Sequence, residues 1–267
     1  MAYTLKPDSR YIMPAGFGPM RTGDIAHYGS VTTLTILYQT DKDALAALLP
    51  EPFEPADNPE VTVYCQMCRQ VDFMAGRGYN LVGVNLSAVF NGKKDRFAYP
   101  LNYAAILWEN DTFPIIHGRE VLGAPKIYAD IPDAQHDGKN WRFHCSVYGK
   151  RLVEAEIKNA TRVDDTMRQQ IEQLSGESLW IGWKYIPGTN GIGSDVSFAT
   201  VIPHKLTVSE AWLGEGSHRF FEAAWEDVLV SAQVMQGLRT LVVKEYHPAF
   251  IFKGPNDLLV GECRRIE

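Results

Sequence analysis

Lys126 stands among residues that would keep its amine dry. It follows a glycine break and a proline in His117-Gly118-Arg119-Glu120-Val121-Leu122-Gly123-Ala124-Pro125-Lys126-Ile127-Tyr128. Pro125 fixes its own φ and biases Ala124 towards extended backbone, so Lys126 sits at a rigid strand entrance. Burial disfavours the charged form of a lysine. A neutral amine can attack a ketone and form an imine, which then draws electrons from the neighbouring carbon. That chemistry serves decarboxylation, aldol cleavage or condensation, and dehydration. With Ile127 adjacent, no neighbouring cation is expected to assist, and strand alternation turns residue 127 to the opposite side.

The residues around the lysine read two ways. Arg119 either binds a substrate carboxylate or holds Glu120 in an ion pair. Glu120 either moves protons or anchors the turn. Tyr79, Tyr103 and His117 are conceivable proton donors, although a structural role accounts for each more simply. Trp108, Trp212 and Trp225 read as core aromatics. Cys65 and Cys68 form one CxxC, but a zinc site needs about four ligands. No second CxxC and no HxxxH follows, so the pair reads as small buried apolar side chains and no metal is expected.

The elements that must position the lysine are mostly strands. Val31–Tyr38 is β-branched and aromatic. Thr40 and Asp43 suggest a capped start for a short helix stopped by Pro50. Strand, turn, strand fills Val61–Leu107. A hairpin is expected over Trp141–Tyr148 and Leu152–Asn159, then a helix over Asp165–Leu174. Strands return at Trp180–Ile186, Ser197–Ile202 and Leu206–Trp212. Phe220, Phe221, Ala224, Trp225, Val228 and Leu229 fall on one helical face, which predicts a third helix. A last strand is placed near Thr240–Tyr246. Many strands with few helices give an α+β, mainly β chain, with a closed antiparallel or mixed β-barrel core and a few covering helices.

Composition narrows the rest. The 267 residues are 45% hydrophobic, enough for one domain over 1–267, with residues 1–30 as an extended glycine- and proline-rich arm. The net charge of -6 is interspersed, which argues against nucleic acid as a partner. No apolar run reaches the roughly 18 residues that span a bilayer, and no leader is evident, so no membrane association and a cytoplasmic location are expected. No G-x-G-x-x-G lies between a strand and a helix.

Gly118-Arg119-Glu120 followed by Pro125-Lys126 resembles the active-site signature of acetoacetate decarboxylases. Other matching segments lie in the same order: Tyr38-Gln39-Thr40-Asp41, Leu49-Pro50-Glu51-Pro52, Phe90-Asn91-Gly92, Lys184 with Ile186-Pro187, Leu206–Gly214, and Val243-Lys244-Glu245. The resemblance spans roughly Leu34 to Tyr246. It implies a barrel-centred fold, a homo-oligomer, an imine-forming Lys126 and no cofactor. The pattern departs in three places. Ile127 stands where decarboxylases carry a second lysine, the early arginine falls near Val31, and the acidic strand positions align with Gln66 and Leu81. Gln66 is therefore expected to hydrogen-bond a retained carboxylate or hydroxyl in a pocket without carboxylates. The expected activity is pyruvate aldolase-dehydratase or hydratase chemistry on small 2-oxo acids. Decarboxylation of a 3-oxo acid is the enzymatic alternative, and a small-ligand-binding barrel the non-catalytic one.

Overall fold

The structure, a computed structural model, describes residues 4–267. Residues 1–3 of the expected arm lie outside the described residues. The first strand, β1 (Ala26–Gln39), begins five residues earlier than Val31 and takes the end of that arm into the sheet. Asp41, not Thr40, caps α1 (Lys42–Ala46), accepting from the backbone N–H groups of Asp43 and Ala44. Thr40 instead donates its hydroxyl to the carbonyl of Val242. Next come β2 (Phe53–Pro55), β3 (Glu60–Val71), β4 (Tyr79–Phe90) and β5 (Leu101–Glu109).

The helix α2 (Thr112–His117), capped by Asp111, widens into a π-type turn over Gly118–Leu122 and leads to the short strand β6 (Lys126–Tyr128). The hairpin follows as β7 (Gln135–His136), β8 (Trp141–Val147) and β9 (Lys150–Arg162), and α3 spans Asp165–Ser175 under an Asp164 cap. The remaining long strands are β10 (Glu177–Pro187), β11 (Ser194–Leu206) and β12 (Glu210–Phe220). After α4 (Trp225–Val228) and α5 (Val230–Leu238) the chain ends in β13 (Glu245–Tyr246), β14 (Pro248–Leu258) and β15 (Arg264–Arg265).

The third helix expected from Phe220 to Leu229 does not form as one element. Phe220 ends β12, paired with Val153 of β9, and the helix starts only at Trp225. Leu229 adopts φ +52° and separates α4 from α5. Trp225 is 53% exposed and is no core aromatic, while Trp108 is fully buried and donates its indole N–H to Ser231. The last strand is also displaced. Only Glu245–Tyr246 of the expected Thr240–Tyr246 segment pairs, and the longer β14 lies beyond it, where Pro248, Gly254 and Pro255 disguise a strand.

The sheet runs β1-β3-β4-β5-β10-β11-β14, and β14 pairs with β1 again, so this path of neighbours returns on itself. β12, β9, β8 and β7 extend from β14. Most pairs are antiparallel. β5 is parallel to both β6 and β10, which makes the sheet mixed. Side-chain alternation divides the interior in two. Val61, Val63 and Cys65 of β3 enter a large apolar core with Leu86, Trp108 and Ile157. Tyr64 and Cys68 face a smaller one with Tyr28, Tyr79, Leu107 and Leu122.

A bulge in β5 decides what enters the smaller core. Asn85 pairs with Ala104 and Val84 with Ile106, leaving Ala105 as the extra residue. Leu101 and Tyr103 before it belong to the large core. Unbroken alternation would send residues 107 and 109 the same way. The bulge reverses the parity, so Leu107 enters the smaller core and Glu109 turns to that same side.

Candidate active site

Lys126 opens β6 and pairs in parallel with Leu107, which places its side chain on the smaller core and Ile127 against the large one. The expected alternation between the two residues holds. Lys126 is 8% exposed, and Glu109 Oε1 lies 2.7 Å from its Nζ. Glu109 has no exposed surface, and its Oε2 has no hydrogen-bond partner. Burial holds the Glu109 carboxyl above its ordinary range, against the opposing pull of Lys126.

The loop before Lys126 is built for close approach. A Cβ on Gly118 would stand 2.5 Å from Lys126 Cδ, 2.6 Å from Cε and 3.0 Å from Nζ. The lysine stem lies on the bare Cα of Gly118. Gly123 adopts φ +79°, in the left-handed region that favours glycine. The carbonyl of Leu122 accepts from the buried Thr200 hydroxyl at 2.7 Å. Lys126 is thus fixed from both sides of its strand entrance, since Leu107 N–H donates to Pro125 O and Ala129 N–H to Glu109 O.

Four rings and a thiol complete the surroundings. The Tyr79 ring centre is 6.0 Å from Lys126 Nζ, and its hydroxyl is 3.2 Å from that of Tyr28. Burial raises the Tyr79 phenol well above the usual range and pushes the Cys68 thiol up to about 12. His117 is 2% exposed and its Nε2 has no partner, and the same holds for the buried Nε2 of His204. Burial, aided by the charge of Lys126, pushes His117 down to about 4 and His204 to about 3. Both rings are neutral at pH 7.

The residues singled out in the sequence are distributed around this centre. Arg119 donates from Nη1 to the carbonyl oxygen of Lys126 at 2.9 Å and so braces the lysine backbone. Glu120 lies within electrostatic reach of Lys184, whose amine burial holds below its ordinary range. Gln66 donates from Nε2 to the hydroxyl of Thr33 across β1 and β3. Tyr79 and His117 join the lysine, whereas Tyr103 packs in the large core against Phe53. Cys65 and Cys68 face different cores. Among the described residues no three histidine, cysteine or acidic side chains gather as a metal site. No described helix is long and apolar enough to cross a membrane.

Glu109 corrects the expectation of a site without a carboxylate. Its signal in the sequence is a single acid closing the apolar run Tyr103–Trp108. Its facing depends on the Ala105 bulge, which leaves no mark in the residue pattern.

Comparison with known proteins bears on the family and the fold. The family model described as acetoacetate decarboxylase (ADC) matches residues 12–254. An acetoacetate decarboxylase of Clostridium botulinum is 25% identical over 195 residues, covering 71% of this chain and 72% of that protein. The crystal structure of acetoacetate decarboxylase from Legionella pneumophila superposes with a TM-score of 0.76 at 18% identity, covering 98% of this chain and 92% of that one. The enduracididine biosynthesis enzyme MppR complexed with pyruvate gives a TM-score of 0.68 at 18% identity, with 97% of each chain covered.

Two outcomes follow from this geometry. Gly118→Ala should slow ketone trapping at Lys126 by at least about tenfold, because its methyl occupies the lysine stem's place, while circular dichroism stays native. Unchanged trapping would contradict the close fit. The unfolded chain protonates its histidines near pH 6.5 and the folded one takes up the His117 proton only near 4. Stability is therefore intact above pH 6.5 and falls as the pH drops towards 4, by up to about 3 kcal/mol for His117. Urea unfolding across that window should show a shallower loss for His117→Phe; parallel curves would contradict a buried neutral ring.

Proposed function

Because the chain belongs to the acetoacetate decarboxylase family, we propose that it is a Schiff-base-forming lyase acting on small oxo acids through Lys126. The carrying observation is the buried Lys126–Glu109 pair. Two opposite charges out of water are costly to keep. Passing one proton from the amine to the carboxyl removes both, and burial already favours the protonated carboxyl. The neutral amine attacks the substrate ketone. Glu109 gives its proton to the departing hydroxyl, and water leaves. The iminium that results is matched by the Glu109 carboxylate, and it draws electrons from the adjacent carbon. Positioned proton transfer of this kind contributes about 10²–10⁴-fold.

The preferred activity is condensation of pyruvate with an aldehyde followed by dehydration, or hydration of an unsaturated 2-oxo acid. Ile127 supports this preference, since it turns into the large core and leaves one lysine at the site. MppR, a structural neighbour with bound pyruvate, is consistent with a 2-oxo acid here. Decarboxylation of a 3-oxo acid is the second reading, favoured by Glu109 itself, because a buried carboxylate beside the imine helps expel a carboxylate. Arg119 and Glu120 then serve the loop that carries Lys126, and Gln66 borders the substrate space from β3. The strand ring acts as a closed barrel around the smaller core. A homo-oligomer working in the cytoplasm completes the proposal.

Incubation with pyruvate and cyanoborohydride should place one reduced adduct on the peptide holding Lys126, with none in Lys126→Met. Glu109→Gln should lower turnover by about 10²–10⁴-fold. An adduct spread over surface lysines would refute the imine and favour simple ligand binding. Rapid acetone release from acetoacetate, with no turnover of any 2-oxo acid, would reverse the preference between the two activities.

A further inference from the structure

An oxo acid brings a carboxylate to Lys126 as well as a ketone, and that carboxylate needs hydrogen-bond donors. Arg119 is committed to the Lys126 carbonyl and Gln66 to Thr33. Buried polar atoms without partners are uncommon and call for an occupant. Among the described residues seven such side-chain atoms occur, and four belong to Glu109, His117 and His204. One of the four, Glu109 Oε1, faces the lysine amine. The others are Glu109 Oε2 and the two imidazole Nε2 atoms.

Geometry puts both imidazoles on the lysine's side. His117 immediately precedes Gly118, whose Cα carries the Lys126 stem, and its ring lies 5.6 Å from Phe73 at the edge of the smaller core. His204 comes from the far side of the ring of strands. It lies two residues beyond Ile202 on β11 and so shares the strand face that Ile202 turns to the smaller core, and its ring centre is 4.4 Å from Trp180, itself 5.7 Å from Tyr64. The charge of Lys126 acts on both rings.

We propose that His117 and His204 receive the substrate's carboxylate through their Nε2–H groups, so that the site is a receptor for a monocarboxylic oxo acid held by neutral donors. This rests on the Schiff-base reading for its reaction but not for its binding. Neutral donors hold the carboxylate without a second cation to compete with the iminium for Glu109. A carboxylate held in this way is retained through the reaction at the neighbouring carbon. His117 and His204 are positioning residues in this account, and neither exchanges a proton with substrate at neutral pH.

The test uses the full-length protein with ¹⁵N-labelled histidine and L-lactate, which carries the carboxylate but no ketone and so forms no imine. Saturating lactate should move the Nε2 resonances of His117 and His204, assigned by their loss in His117→Phe and His204→Phe. It should leave that of His218, which stacks on Tyr38 and meets Tyr246 instead. Propane-1,2-diol, the same skeleton without the carboxylate, should move neither. Each His→Phe change should weaken lactate binding about tenfold, and should slow trapping of pyruvate at Lys126 by a clearly larger factor than trapping of acetone, which offers the imidazoles no carboxylate. No movement of either resonance, or an equal fall in acetone trapping, would overturn the proposal. Movement with lactate but no ketone trapped at Lys126 would sustain it and overturn the Schiff-base reading alone.

Discussion

A lysine ammonium and a carboxylate taken out of water together constrain almost everything around them. Coulomb attraction in a poorly polarisable interior is strong, but desolvating two ions opposes it by several kcal/mol each. The Lys126–Glu109 pair at 2.7 Å is held by rigid surroundings rather than by solvent, and burial raises the Glu109 carboxyl against the opposing pull of Lys126. The backbone accordingly departs from regularity where the pair needs it. The Ala105 bulge turns Glu109 inward, the π-type turn brings Gly118 beneath the lysine stem, and Gly123 closes the loop with a positive φ. Each departure would weaken an ordinary sheet or helix, and each is explained by the contact it permits.

The division of the interior into two cores is the second consequence. The larger core is almost wholly apolar and carries Trp108, Leu86 and Ile157. The smaller one holds the tyrosines Tyr28, Tyr64 and Tyr79 around the charged pair. Large apolar burial on one face of β3, β4 and β5 stabilises strands whose opposite face carries the tyrosines and, on β5, the Glu109 carboxyl, whose Oε2 has no hydrogen-bond partner. The proposed chemistry is thereby confined to one side of a sheet that the other side holds in place.

Much of this was legible in the sequence. Pro125 before Lys126 marked a strand entrance, and alternation correctly separated Lys126 from Ile127. The β8–β9 hairpin and α3 formed close to their expected bounds. Other features were hidden for identifiable reasons. Phe220 to Leu229 has helical spacing, but Phe220 is held by β9 pairing and Leu229 takes a positive φ. β14 contains two prolines and a glycine, and it persists because β1, β11 and β12 all pair with it. Glu109 escaped notice because its facing depends on a single extra residue in β5. His204 carries no local motif and comes within electrostatic reach of the lysine only through closure of the strand path.

The account stands on a covalent bond between substrate and Lys126 within the Glu109 pair. The most direct measurement is a crystal structure of the protein after reaction with pyruvate and borohydride. The account predicts continuous density from Lys126 Nζ to the former ketone carbon, with Glu109 still within hydrogen-bond distance of that nitrogen. An unmodified Lys126–Glu109 contact, with adducts confined to exposed lysines, would contradict it.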